Sequence, residues 1–301
     1  MQNLKQLFLL VVCIAATTVS VKAQTDSTGM PGDNFSLQGA LEMFKLSFSI
    51  EEFEKLINTE NKNVNNLDLN GDGEIDYIKV IDKADKNVHA FILQVAVSET
   101  EKQDIAVIEL EKTGDTTAML QIIGDEEIYG EQVIVEASDE GDEIESEDES
   151  KGSGPAFNCT EASRIVVNVF YWPSVRFIYR PASVPWVSPW RWRHYPGWWR
   201  PWHPVRWNVF HPRRLHYHRH FALVRTHRVV MAQRVYTPFR ASSTIVRTRA
   251  TVARNNYKVT RTRTRVTGPG GNTRVRTNTT IQKRGGNDDD DRKGKGRGRK
   301  G

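Results

Sequence analysis

Ile75-Asp-Tyr-Ile-Lys-Val-Ile81, the polar stretch Asp82–Asn87 and Val88-His-Ala-Phe-Ile-Leu-Gln-Val-Ala-Val97 decide the fold. Two runs rich in β-branched and aromatic residues flank a short Asp/Lys/Asn segment, which reads as strand, turn, strand. Such a connection is too short for a crossover helix, so the two strands must be antiparallel neighbours. Ile105–Leu110, Ala118–Ile123 and Gln132–Val135 repeat the pattern, each bounded by Gly, Asp, Asn or Lys. Upstream, Leu37, Leu41, Phe44 and Phe48 recur near helical spacing. Ser49 followed by Glu52 fits a capping box, and Ile50, Phe53, Leu56 and Ile57 make a second apolar stripe. The prediction is an α+β domain: a small antiparallel sheet with two N-terminal helices packed on one face.

The turn before the first strand carries the sharpest chemical motif, Asp68-Leu69-Asn70-Gly71-Asp72-Gly73-Glu74-Ile75-Asp76. Side-chain oxygens at positions 1, 3, 5 and 9 converge if the chain turns tightly. Gly73 permits that turn, and the Glu74 carbonyl supplies a further oxygen. Asp68, Asn70, Asp72, Glu74 and Asp76 are therefore the candidate ligands of a structural calcium ion. The nine residues resemble the calcium loops of EF-hands and dockerin modules. They depart from the EF-hand at position 12, where Lys79 replaces the bidentate acid, and the residues that follow read as a strand. A plain hairpin turn is the competing reading, because Asn-Gly and Asp-Gly favour turns on their own.

Charge divides the chain in two. All 26 arginines lie at or after Arg164, whereas 33 of the 37 acids lie at or before Glu161. Residues 24–163 carry a formal −24 and residues 164–301 a formal +27. Residues 24–137 read as the acidic globular domain and 138–155 as an acidic flexible linker whose like charges resist packing. Residues 156–240 form a Trp/Pro/His/Arg-rich segment. Residues 241–301 form a Thr/Arg/Gly-rich basic tail that ends without apolar residues to bury, and so is predicted to be disordered at its end.

All eight Trp fall between Trp172 and Trp207, and eight of the twelve Pro between Pro173 and Pro212. Proline at that density predicts an extended or turning chain without regular helix or central strand. Indole rings and guanidinium planes are then free to stack. Trp186, Trp190, Arg191, Trp192, Arg193, Trp198, Trp199, Arg200 and Trp202 are the candidate binding residues. Trp with Arg suits an anionic lipid–water interface, an acidic glycan, or single-stranded nucleic acid. Export makes nucleic acid the weakest of the three. Packing of the rings onto the globular domain is the structural alternative. His216, His218 and His220 would share one face of a strand and could meet a metal, but Arg213, Arg214 and Arg219 oppose a dication there. Further on, Val259–Thr267 alternates Arg with Thr, and the pattern returns at Thr273–Thr277 after Gly268-Pro-Gly-Gly271. That spells a hairpin with Arg261, Arg263 and Arg265 on one face, where opposed like charges call for an anion.

The N-terminus reads as a secretory signal over residues 1–23. It has Lys5, the ten-residue apolar run Leu7–Ala16, and Val21-Lys22-Ala23 before the cleavage point. Its removal takes Cys13 and leaves Cys159 alone, without an internal disulfide. No stretch is long enough to span a bilayer. The expected location is the periplasm, the outer-membrane surface or the exterior. The order of an Asp-Asn-Gly-Asp-Gly loop followed by a Trp-Pro-Trp-rich segment such as Val184–Pro204 resembles exported proteins of Bacteroidetes-type bacteria to which no activity is assigned. That resemblance implies location more than mechanism.

No Gly-rich phosphate loop, nucleophile elbow or His-Glu-x-x-His helix appears, so no enzyme is predicted. The leading expectation is an exported, envelope-associated protein whose basic aromatic half binds anionic envelope polymer or lipid, such as lipopolysaccharide or acidic glycan. The alternatives are a self-associating structural protein that pairs its acidic and basic halves, and a calcium-dependent binding module.

Overall fold

The computed structural model describes residues 27–138, 159–160, 166–267 and 273–283. The expected signal peptide, nearly all of the acidic linker and the basic C-terminal run lie outside the described residues.

Two helices open the fold, α1 (Leu37–Leu46) and α2 (Ile50–Ile57). Ser36 and Ser49 cap them by accepting the N–H of Gly39 and of Glu52. Glu52 reaches back to the N–H of Phe48, one residue before the N-cap, so the box closes in a shifted form. Five strands follow: β1 (Ile78–Asp85), β2 (Val88–Ala96), β3 (Lys102–Gly114), β4 (Thr117–Gly124) and β5 (Val133–Ala137). A one-turn helix, α3 (Glu126–Tyr129), sits between β4 and β5. Each strand pairs antiparallel with the next, and Asp85 opposite Val88 closes the first hairpin through Lys86 and Asn87. The α+β class read from the sequence is the class of the molecule.

Alternation splits the sheet into two faces. One presents Val80, Phe91, Leu93, Ile108, Leu110, Leu120 and Ile122 to α1 and α2, whose Leu41, Phe44, Phe53 and Ile57 complete the main core. Phe44 meets Phe53 edge-on at 5.3 Å between ring centroids. The other face presents Ala90, Val107, Ile123 and Ile134, and it is covered from the basic half.

Here the architecture differs from the expected division into a globular unit and an extended segment. The basic half supplies the sixth strand, β7 (Phe221–Val224), which pairs antiparallel with β5 through Ile134–Val224 and Ala137–Phe221. It also contributes α4 (Pro173–Ile178), α5 (Trp207–Arg214), α6 (Val230–Tyr236) and α7 (Thr244–Asn256). Helix α6 lays Val235 and Tyr236 on the second face, and Val229 and Ala232 bury against Val88. Proline does not prevent the first two of these helices. Pro173 occupies the first turn of α4, where no N–H is needed, and Pro212 lies in the last turn of the eight-residue α5. Between them the chain turns without regular structure, as the proline density predicts. It runs along the free edge of β1, where Asp82 N–H donates to Trp186 O at 2.7 Å and Ser188 N–H to Val80 O at 3.1 Å. That cover protects an edge that would otherwise pair with other chains.

A second, three-stranded sheet joins β6 (Cys159–Thr160), β9 (Thr273–Lys283) and β8 (Tyr257–Thr267) in that order. Its register sets Arg261, Arg263 and Arg265 opposite Thr279, Thr277 and Val275, and Arg274 and Arg276 opposite Val266 and Thr264. No arginine of β8 stands opposite an arginine of β9 in this register. Among the described residues, no helix is long and apolar enough to cross a membrane.

Candidate functional site

The two halves meet at polar contacts buried between them. Glu54 is the centre of one. It occupies an apolar position of α2, between Phe53 and Ile57, and is almost fully buried. Its carboxylate accepts from Tyr77 OH at 2.9 Å, Val80 N–H at 2.9 Å, Trp186 Nε1–H at 3.0 Å and Ser188 Oγ–H at 2.9 Å. Burial pushes its pKa up and the four donors oppose that shift. Two of the donors come from the Trp-rich segment, so Glu54 fixes that segment to the domain.

On the second sheet face, Gln121 stands opposite Glu109 on β3 and Glu136 on β5. The loop before α6 covers this polar row. His227 Nε2 contacts Glu109, Arg228 Nε pairs with Glu136 at 3.3 Å, and Arg228 N–H donates to Gln121 at 2.7 Å. Further along, Tyr236 OH and Ala241 N–H donate to Asp104, Arg240 pairs with Asp125 at 2.8 Å, and Arg247 pairs with Glu127 at 3.1 Å. Burial raises the pKa of Glu109 to about 7 and of Asp104 to about 6. Arg228, Arg240 and Arg247 are thus matched with acids of the same chain.

The Asp68–Asp76 loop is clasped in the same way. Asp68 accepts from the N–H groups of Gly71 and Gly73, Asn70 from that of Asp72, and Asp72 from that of Glu74. Gly71 and Gly73 take φ of 76° and 85°, the left-handed region in which the motif needs glycine. Asp76 turns inward to accept Leu69 N–H at 2.6 Å, and burial, reinforced by the charges of Asp68 and Asp72, raises its pKa to about 7. Glu74 is exposed. From the basic half, Arg249 donates to Leu69 O at 2.8 Å and Asn70 O at 2.7 Å, Trp202 O accepts from Ile75 N–H, and His203 Nδ1 meets Gly73 O at 2.8 Å. Four of the five candidate calcium ligands, Asp68, Asn70, Asp72 and Asp76, therefore accept from the loop's own backbone. No three His, Cys, Asp or Glu side chains among the described residues converge as a metal set.

The predicted aromatic residues separate into packed and presented ones. Trp199 is 3% exposed and its ring lies 4.6 Å from Tyr195, 5.1 Å from Tyr77 and 6.3 Å from Trp202. Trp186 is tied to Glu54, and Trp190, Trp192 and Trp202 are half-buried. Trp198 is the most open of the described indoles, 46% exposed, with Lys55 Nζ 5.5 Å from its centroid. Arg191 and His194 exchange backbone hydrogen bonds of 3.2 and 2.8 Å, closing a tight turn around Trp192 and Arg193. A second turn follows at once, with Trp199 N–H donating to Pro196 O at 3.0 Å. Arg191, Arg193 and Arg200 are exposed on these turns, and Arg206 beyond them. None of the four has a carboxylate partner among the described residues. Arg200 donates only to the carbonyls of Gly197 and Trp199, and Arg193 lies 5.5 Å from the Trp192 centroid.

Lys55, Tyr77 and Tyr195 join this site without having been singled out in the sequence, since each comes from a different part of the chain or carries no motif. Glu54 did leave a signal, an acid on an apolar helical stripe. His216 and His218 fall on a 3-10 turn, Leu215–Arg219, with His220 as its C-cap, so the one strand face expected for them does not form. Comparison with family models, with curated proteins and with solved structures finds no match.

Proposed function

We propose that this protein is a non-enzymatic, envelope-associated binding protein that holds anionic groups of an envelope polymer or lipid. The supporting observation is the partition of its arginines. Arg228, Arg240 and Arg247 are spent on Glu136, Asp125 and Glu127. Arg191, Arg193, Arg200 and Arg206 are exposed without an acid among the described residues. Unmatched guanidinium groups on a firmly packed segment attract phosphate, carboxylate or sulfate with little loss of order on binding.

The test is retention of the intact protein on immobilised heparin and on lipopolysaccharide at low ionic strength. Binding should fall steeply between about 0.1 and 1 M salt, as the screening length shrinks from ~10 Å to ~3 Å. Replacing Arg191, Arg193 and Arg200 together by Glu should abolish it. Failure to bind either ligand at low salt would overturn the proposal. A second reading, pairing of the halves between molecules, draws on the same acid–arginine contacts. A concentration-dependent, salt-sensitive mass in sedimentation would favour it.

A further inference from the structure

We infer that the anionic partner is an acidic glycan chain, read by Trp198 together with Arg191, Arg193 and Arg200; this rests on the polyanion reading above and narrows it. A lipid interface and a sugar chain make different demands on aromatic rings. Insertion at headgroup depth needs several rings or aliphatic side chains protruding together. Residues 181–207, which carry Trp198 and the unmatched arginines, do not present them. Trp199 is buried, the ring nitrogen of Trp186 is committed to Glu54, and Trp190, Trp192 and Trp202 are half-covered. Val184 and Val187 are exposed, but Val187 is bridged to Ile81 along the edge of β1 and serves the sheet. Among residues 181–207 that leaves one open indole and two valines, too little apolar surface for membrane anchorage at this site; the other exposed apolar side chains of the basic half, such as Tyr171, Leu215, Met231 and Phe239, lie outside these residues.

One open indole is enough for a sugar. The C–H face of a pyranose ring is flat and apolar and packs on an indole face through many small dispersion contacts. Uronate or sulfate groups on the same chain then meet guanidinium groups in two-point hydrogen bonds. Arg191, Arg193, Trp198 and Arg200 fall within ten residues of sequence folded into two successive turns, and all four are exposed. Lys55, at 5.5 Å from the Trp198 ring, adds a fourth cation from α2. The platform is fixed before the ligand arrives. Tyr195 and Trp199 pack under it on Tyr77, the Tyr77 hydroxyl is held by Glu54, and the carbonyls of Gly197 and Trp199 hold one edge of Arg200. Asp72 and Glu74 are exposed on the loop that touches Trp202 and His203, so they repel an anionic chain and bound the footprint on that side.

The experiment uses the intact protein with four probes: an oligogalacturonate, polyphosphate of matched charge, a neutral oligosaccharide of matched length, and vesicles containing phosphatidylglycerol. The expected result is that oligogalacturonate binds and changes Trp fluorescence. Trp198→Ala should weaken that binding about tenfold or more, the usual scale of a lost stacking contact. It should change polyphosphate binding less than about twofold, and Trp198→Phe should restore part of the loss. Arg191→Ala with Arg193→Ala should weaken both anions. Because the Trp198 ring is open, an unchanged thermal melt will show that Trp198→Ala folds. Equal loss for both anions, or none for oligogalacturonate, would overturn the glycan inference while leaving the polyanion reading in place. So would vesicle binding that depends on Trp198 in the absence of glycan binding. Failure of every anionic probe at low salt would overturn both.

Discussion

Glu54 shows how one side chain can hold two halves of a chain together. Its four donors come from α2's neighbour Tyr77, from β1 and from the Trp-rich segment. Glu54→Ala strands those donors in a dry site, so a loss of about 3 kcal/mol is expected in urea denaturation. The emission of Trp186 should shift to the red as that segment loosens. Asp68 makes a second prediction at this scale. It holds two backbone N–H groups of its loop, so Asp68→Ala should cost about 1 kcal/mol even in excess chelator. Asp76 and His218 set the pH response in opposite directions. The folded pKa of Asp76, about 7, lies above its ordinary value, so its contribution to stability grows as pH falls through 7 and is lost as pH rises. Burial and then the charges of Arg214, His211 and His216 lower His218 to about 4, so its contribution is complete above the unfolded value of about 6.5 and is lost as pH falls towards 4. The urea midpoint should therefore rise from pH 8 to about 7, before most of the unfolded-state His218 protonates, and Glu109, also raised to about 7, adds to the rise. Asp76→Asn should reduce that rise and leave the part due to Glu109.

At the scale of elements, the strands were legible because their apolar runs are bounded by turn residues, and the alternating Arg–Thr hairpin was legible for the same reason. Helix α6 was not. Val230–Tyr236 is short, carries Arg234, and has no apolar stripe that stands out from its neighbours. It is helical because Ala232 and Val235 have a sheet face to cover. The α6 contact can be tested directly. Ala232 has no exposed surface, and Ala232→Glu would bury an unpaired charge against Val88, costing about 3 kcal/mol. Hydrogen exchange should then accelerate across residues 228–240 before it does in β3. Proline gave a clear instruction that was read too broadly. It forbids helix where an N–H is needed, and Pro173 and Pro212 stand where α4 and α5 do not need one or end soon after.

For the whole molecule, the consequence is a domain that needs both charged halves. Residues 24–138 without the rest would leave Val107, Ile123 and Ile134 without α6 and β5 without its outer partner β7. That fragment should bind a hydrophobic dye and melt without cooperativity, and addition of residues 159–301 should suppress the dye signal in calorimetry and fluorescence run together. The α+β class, the adjacency of the first five strands, the capped helices and the two-signed charge are all written in local pattern, because periodicity, turn residues and charge are local properties. Which arginines are matched, which tryptophan is open, and the completion of the sheet by the basic half come from packing. Each of those depends on residues about a hundred positions apart meeting across a packed interface, as Glu54 does with Trp186 and Gln121 with Arg228. Burial there selects partners by geometry that no local pattern records.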